Sequence, residues 1–232
     1  MKRVLVINPN TTVAVTETVL AACRRAQPGL LWEGATSRFG APYIADEVGY
    51  AIAAHAVLDA HEAYFAGHDA ILIACFGDPG LLALREMVSV PVLGLAQASL
   101  QAAGRRGRFA IVTGGRAWAP MLARFARAHE LDAQLAGIHT VDLTGLQIAA
   151  DPERALGDLA AACARGIGDG ADWILLGGAA LEGLVASLQP LVAAPLLDNV
   201  LLAAQAVAEA SLLLPSAQSA PGQAKHESEW VQ

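Results

Sequence analysis

One thiol in this chain stands where chemistry could be done. In "DAILIACFGDPGLL", residues 69–82, an apolar run stops at Cys75 and gives way to Phe76, Gly77, Asp78, Pro79 and Gly80, which are poor residues for continuing a strand. A cysteine between a strand and a helix can act as a nucleophile or proton carrier. Backbone N–H groups at a helix start stabilise an anion and draw a thiol below its free pKa of about 8.5. Pro79 suits a first helical position and Asp78 an N-cap, a structural role rather than a catalytic one. The alternative is that Cys75 is a small buried hydrophobe, as most free cysteines are. Its place at the opening of a polar loop favours the chemical reading.

Three other loops follow apolar runs in the same way. They are Asn8-Pro9-Asn10-Thr11-Thr12, Thr113-Gly114-Gly115 and Gly177-Gly178-Ala179-Ala180. The first offers uncharged donors and acceptors suited to a carboxylate or ureide, although Asn8-Pro9 can also form a turn and Thr11 or Thr12 a helix cap. The glycines after Thr113 let backbone amides approach an anion, but no G-x-x-x-x-G-K-[ST] pattern is present, so this is not a P-loop. No G-x-S-x-G elbow occurs. "HEAYF" at His61 begins like a zinc motif without completing it, and His55 and His61 are six apart, a poor spacing for one helix face. Surface or capping roles are expected for the histidines, with His68 ending a helix. Cys23 and Cys163 fall in helical stretches, and no Cys-x-x-Cys pair suggests a zinc site or disulfide. A reducing cytoplasm is the expected compartment.

The elements that position these loops are legible in the pattern. The short aliphatic runs "RVLVINPN", "AILIACFGDPG", "PVLGLA", "RFAIVTGG", "DWILLGG" and "APLLDN" alternate with Ala/Leu-rich helical stretches at 13–25, 48–66, 121–129, 152–166 and 200–213. Alternating strands and helices predict an α/β fold with parallel sheets, and the unbroken apolar runs predict strands covered on both faces. Ligands then bind at the carboxyl ends of the strands, where all four loops lie. The chain also repeats itself. The segment from Asp69 and the segment from Asp172 share an Asp, an apolar run, a break, a leucine-rich helix, a Val-x-x-Pro step, a second apolar run and an alanine-rich helix. This register sets Cys75 opposite Gly178, and "RVLVINPN" opposite "RFAIVTGG". Two similar lobes are expected, residues 1–100 with about 200–214 in one and 101–199 in the other. Residues 215–232 form a polar tail outside the core. Asp198-Asn199 could cap the last helix or line the cleft, and Tyr43, Phe76 and Trp118 are the aromatic candidates for a pocket wall.

Composition narrows the function classes. The 232 residues are 55% hydrophobic and 16% charged, with a net charge of -7 and no basic run beyond "GRRGR", so nucleic-acid binding is not expected. No apolar run reaches the roughly 18 residues of a membrane span, and "MKRVLVINPN" is too short to be a secretory signal.

"NPNT" at Asn8–Thr11, "CFGDPGL" at Cys75–Leu81 and "FAIVTGG" at Phe109–Gly115 together resemble the aspartate/glutamate racemase superfamily, and within it the hydantoin and allantoin racemases. The resemblance implies two α/β lobes with a small-molecule site between them. It implies cofactor-free and metal-free proton transfer at a carbon next to a carbonyl, by two cysteines on opposite faces, in a homo-oligomer. Cys75 matches the first cysteine. Asn8, Asn10, Thr11, Phe76, Gly77, Thr113, Gly114, Gly178 and Ala179 would then hold the substrate. The chain departs from the pattern in "LLGGAAL", where the family carries "LGCAG" and Gly178 takes the place of the second cysteine. A one-thiol site suits a slow racemase, a decarboxylase of the arylmalonate type with the thiol on the other lobe, or a binding protein without turnover.

Overall fold

The computed structural model describes residues 1–65 and 67–213. The expected tail at 215–232, with His226 and Trp230, lies outside the described residues, as does Ala66 at the end of one expected helix.

Two parallel four-stranded sheets carry the chain. The first contains β1 (Arg3–Asn8), β2 (Leu31–Thr36), β3 (Ala70–Ile73) and β4 (Val92–Gly94) in the order β2-β1-β3-β4. The second contains β5 (Phe109–Gly114), β6 (Leu135–Val141), β7 (Trp173–Gly177) and β8 (Leu196–Asp198) in the order β6-β5-β7-β8. The two sheets share one topology, and their third and fourth strands pair in the same register, while β5–β6 has a register shift at Phe109–Ala110 that β1–β2 lacks. Ile71 pairs with Val92 as Ile174 pairs with Leu196, and Ile73 pairs with Gly94 as Leu176 pairs with Asp198. The sequence repeat is thus a structural one, with one extra residue between β7 and β8.

Helices α1 (Val13–Ala26), α2 (Glu47–Tyr64), α3 (Leu81–Met87) and α4 (Leu95–Gly104) belong to the first half; α5 (Trp118–Ala128), α6 (Gly145–Ala150), α7 (Pro152–Gly168), α8 (Val185–Leu188) and α9 (Asn199–Leu213) to the second. Their starts follow from local chemistry. The Asp46 carboxylate accepts from the Gly49 amide at 2.8 Å ahead of α2. Thr144 and Gln147 form a reciprocal capping box on α6, and Asp151 with Pro152 opens α7.

Strand side chains alternate between two cores, which explains the unbroken apolar runs. Val4, Val6 and Leu72 of the first sheet and Phe109, Ile111 and Leu175 of the second share a central core with α1, α4 and α9. Leu5, Ile7, Ile71 and Ile73 face outward onto α2 and α3, while Ala110, Val112, Ile174 and Leu176 face α7. The lobes interlock because α4 reaches β7 of the second sheet, and α9 packs on α1, α4 and β3 of the first. Burying a Leu or Ile contributes about 1.5–3 kcal/mol, so the shared core couples the lobes into one unit. No helix among the described residues is long and apolar enough to cross a membrane.

Two local expectations are corrected. The helix expected near Pro79 begins at Leu81, because Gly80 takes φ +75 in a turn where a Cβ would come 2.9 Å from the Ala54 carbonyl oxygen. His68 does not end a helix or lie at the surface. α2 stops at Tyr64, and His68 is buried, with its Nε2 3.3 Å from Glu33 Oε2.

Candidate active site

The carboxyl ends of β3 and β7 face one cleft of about 560 Å³, its open mouth included. Cys75 follows β3 on one wall and Gly178 follows β7 on the other. Asn10, Phe76, Thr113, Gly114 and Ala179 also line it. The structure keeps Asn8, Thr11 and Gly77 off the wall. The Asn8 amide is buried and consumed, its nitrogen donating to Asn10 Oδ1, the Thr12 carbonyl and Thr16 Oγ1 at 3.0–3.1 Å. Asn8 therefore braces the Asn10 loop. Thr11 donates its backbone amide to the Ala41 carbonyl, and Gly77 accepts from Tyr50 at 2.8 Å through its carbonyl.

Cys75 is 8% exposed, while Cys23 and Cys163 are wholly buried in α1 and α7. Burial pushes the Cys75 thiol well up, and the charge of Asp78 adds to this. This corrects the expectation of a thiol lowered by a helix start. α3 begins six residues further on, and the amides that open α4 are already taken. Those amides are taken by Asp78, which corrects a second expectation. Asp78 does not cap the helix that follows it. Its Oδ1 accepts from the Ala96 amide at 2.8 Å and its Oδ2 from the Gln97 amide at 2.7 Å, so it caps α4 from the Cys75 loop. The Cys75 carbonyl closes the turn by accepting the Gly77 and Asp78 amides at 2.9 and 3.1 Å, with Asp78 held at φ +54. Asp198 caps α9, accepting from the Val200 and Leu201 amides, and does not line the cleft.

Segment 37–46, between β2 and α2, closes the mouth. Tyr43 donates its hydroxyl to the Gly114 carbonyl at 3.2 Å, and Trp118 donates its indole N–H to the Ile44 carbonyl at 3.1 Å. Both bonds join the lobes. Tyr43, Phe76 and Trp118 all line the cleft. Pro42, Ile44, Gly145 and Leu146 line it too and had no sequence signal, since they belong to the loop after an edge strand and to the start of a short helix. Phe76 packs against the end of β7, where a Cβ on Gly177 would fall 2.4 Å from its ring. Gly178 stands at φ +128, where a Cβ would meet Leu181 Cδ1 at 3.3 Å and Thr113 Oγ1 at 3.8 Å. No Asp, Glu, Lys, Arg or His among the described residues lines the cleft, nor does any cluster of metal-ligating side chains occur among them.

This arrangement can hold a small neutral molecule beside one high-affinity thiol. Residues 4–207 match the family model described as Asp/Glu/Hydantoin racemase. The hydantoin racemase of Pseudomonas sp. (strain NS671) is 31% identical over 202 residues, 85% of this chain and 81% of that protein. Among solved structures, allantoin racemase from Klebsiella pneumoniae is 32% identical with a TM-score of 0.84 over 96% of this chain and 97% of that one. Allantoin racemase from Pseudomonas fluorescens is 28% identical with a TM-score of 0.87 over 91% of each chain.

Proposed function

Because the chain belongs to the Asp/Glu/hydantoin racemase family, we propose that it is a cofactor-independent isomerase of the hydantoin-racemase type, acting on a neutral cyclic ureide with Cys75 as its acid/base. The observation that carries the reading is a single thiol among the described residues that line a cleft, with no charged side chain among them and with Gly178 at the equivalent place of the other lobe.

Placing a carboxylate in such a cleft costs several kcal/mol unless it is paired, whereas a ring of amides brings its own donors and acceptors to Asn10, Thr113 and the loop backbone. In the reaction, the Cys75 thiolate takes the proton from the carbon between the ring carbonyl and ring nitrogen. The electron pair moves onto the carbonyl oxygen, and a proton returns to the carbon. A thiol whose proton affinity is raised by burial is held mainly as the neutral thiol, and its small thiolate fraction is a correspondingly stronger base. On the far face, Gly178 leaves room for a water beside Thr113 Oγ1. Water is a weaker partner than a second thiol, so return from the Cys75 side is faster than inversion.

The single thiol also suits a one-faced decarboxylation, but an arylmalonate brings two carboxylates into a cleft with no cation among the described residues on its wall. The test is the rate of deuterium uptake at C5 of a single-enantiomer 5-benzylhydantoin by the wild-type chain and by Cys75→Ala. Uptake lost in the variant supports the assignment. Uptake retained in it removes Cys75 from the mechanism.

A further inference from the structure

The two lobes solve one structural problem in two ways, and the difference falls at the thiol. Gly94 and Asp198 are equivalent last residues of β4 and β8, and the helices α4 and α9 that follow expose equivalent amides, Ala96 with Gln97 and Val200 with Leu201. In the second lobe the carboxylate sits in place, on Asp198. In the first lobe it comes from Asp78 on the Cys75 loop, and the residue at the end of β4 is a glycine. That glycine is required, since a Cβ on Gly94 would lie 2.0 Å from the Asp78 Cγ. The second-lobe counterpart of Asp78 is Leu181, which makes no such tie; there Asp198 Oδ2 instead accepts from the Gly183 amide at 3.2 Å, at the far end of the loop and five residues past Gly178.

A cap at the end of β4 would serve the helix equally well. Drawing it from the loop does something more, because it fastens the Cys75 turn to a rigid helix rooted in the central core. We infer that Asp78 is a positioning residue, which holds the Cys75 thiol at the cleft wall through its two bonds to the start of α4. This rests on Cys75 being the acid/base. Asp78 is wholly buried among groups from each neighbouring element. Tyr50 of α2 donates to the Gly77 carbonyl beside it, Arg85 of α3 lies within electrostatic reach, and the charge of Asp78 bears on Cys75 itself. Misplacing a reacting group by about 1 Å can cost about 10²-fold in rate.

The experiment transplants the second lobe's solution into the first. Asp78→Gly suits the positive φ and removes the tie, and adding Gly94→Asp restores the cap in the Asp198 position. We expect the single variant to lose both thermal stability and kcat on 5-benzylhydantoin. The double variant should recover the melting temperature while kcat stays about 10-fold or more below wild type. Recovery of kcat together with stability would reduce Asp78 to a helix cap and overturn the inference. Should the double variant fail to fold, Asp78→Asn decides. Its amide can accept from one of the two N–H groups but turns a donor toward the other. A lowered kcat with unchanged KM, and faster iodoacetamide labelling of Cys75 in the folded protein at fixed pH, supports a positioning role. Wild-type values for both overturn it. If the wild-type chain turns over no ureide, the functional reading fails, while the labelling comparison still decides the role of Asp78.

Discussion

Installing the thiol that the second wall lacks makes a demanding test. In Gly178→Cys the new side chain enters the cleft opposite Cys75. Its Cβ meets only Leu181 Cδ1 at 3.3 Å and Thr113 Oγ1 at 3.8 Å, so space is nearly sufficient. The backbone is the obstacle, since Gly178 sits at φ +128, a conformation that costs a residue with a side chain about 1–3 kcal/mol. At about 2–4 °C per kcal/mol for a chain of this size, the melting temperature should fall by roughly 2–12 °C. A positioned acid on the far face is worth about 10²–10⁴-fold over water, so racemisation should rise by up to that factor where the loop relaxes to accept the thiol. The assay is loss of optical rotation of a single-enantiomer hydantoin, run beside a melting curve. A folded variant that racemises no faster than wild type would refute the account, because it would mean that an effective acid already works from that wall.

Other consequences follow from the same geometry. Cys75→Ala should lower C5 proton exchange by at least about 10²-fold while leaving ligand binding measurable by calorimetry. Gly177→Ala should cost about 1–3 kcal/mol in denaturant titration and slow turnover, because its Cβ would strike the Phe76 ring at 2.4 Å. Tyr43→Phe removes the hydroxyl bond to the Gly114 carbonyl that helps close the mouth, and should raise KM more than it lowers kcat in steady-state kinetics. Burial raises the Asp78 carboxyl from 3.8 to about 7, outweighing its bonds to the Gln97 and Ala96 amides. The folded chain then holds this proton more tightly than the unfolded one. The stability it contributes is fully present below about pH 4 and lost as pH rises through about 7. Denaturant titrations at pH 5 and pH 8 should therefore show a larger fall for wild type than for Asp78→Asn, and equal falls would contradict the assignment.

Much of this fold was legible in the sequence because its signals are periodic. Aliphatic runs that leave no face polar can only be strands covered on both sides, and the repeat from Asp69 and Asp172 survives as identical strand pairings. Cys75 was legible for the same reason, as the residue where a run gives way to a loop. What stayed hidden depended on contacts between distant segments. Asp78 precedes a proline and reads as a local cap, yet it reaches across to α4, because the positive-φ turn at residue 78 swings its carboxylate away from its own helix. The thiol's proton affinity was read from an expected helix start, and burial reversed its direction. Pro42 and Ile44 reach the cleft only because a loop of one lobe folds over the other, and their residue types announce nothing. Asn8 looked like a ligand group and is an internal brace, with its amide consumed by Asn10, Thr12 and Thr16.

In the proposed reaction one thiol, Cys75, moves the proton on one face while a weaker partner serves the other. The most direct measurement follows a single-enantiomer 5-benzylhydantoin in D₂O with the wild-type chain, recording loss of the C5 proton signal and chiral composition in the same sample. Deuterium uptake should run ahead of racemisation by about 10-fold or more, with early product deuterated and unchanged in configuration. Uptake and inversion proceeding in step would contradict this expectation, since that result requires two matched acids across the cleft.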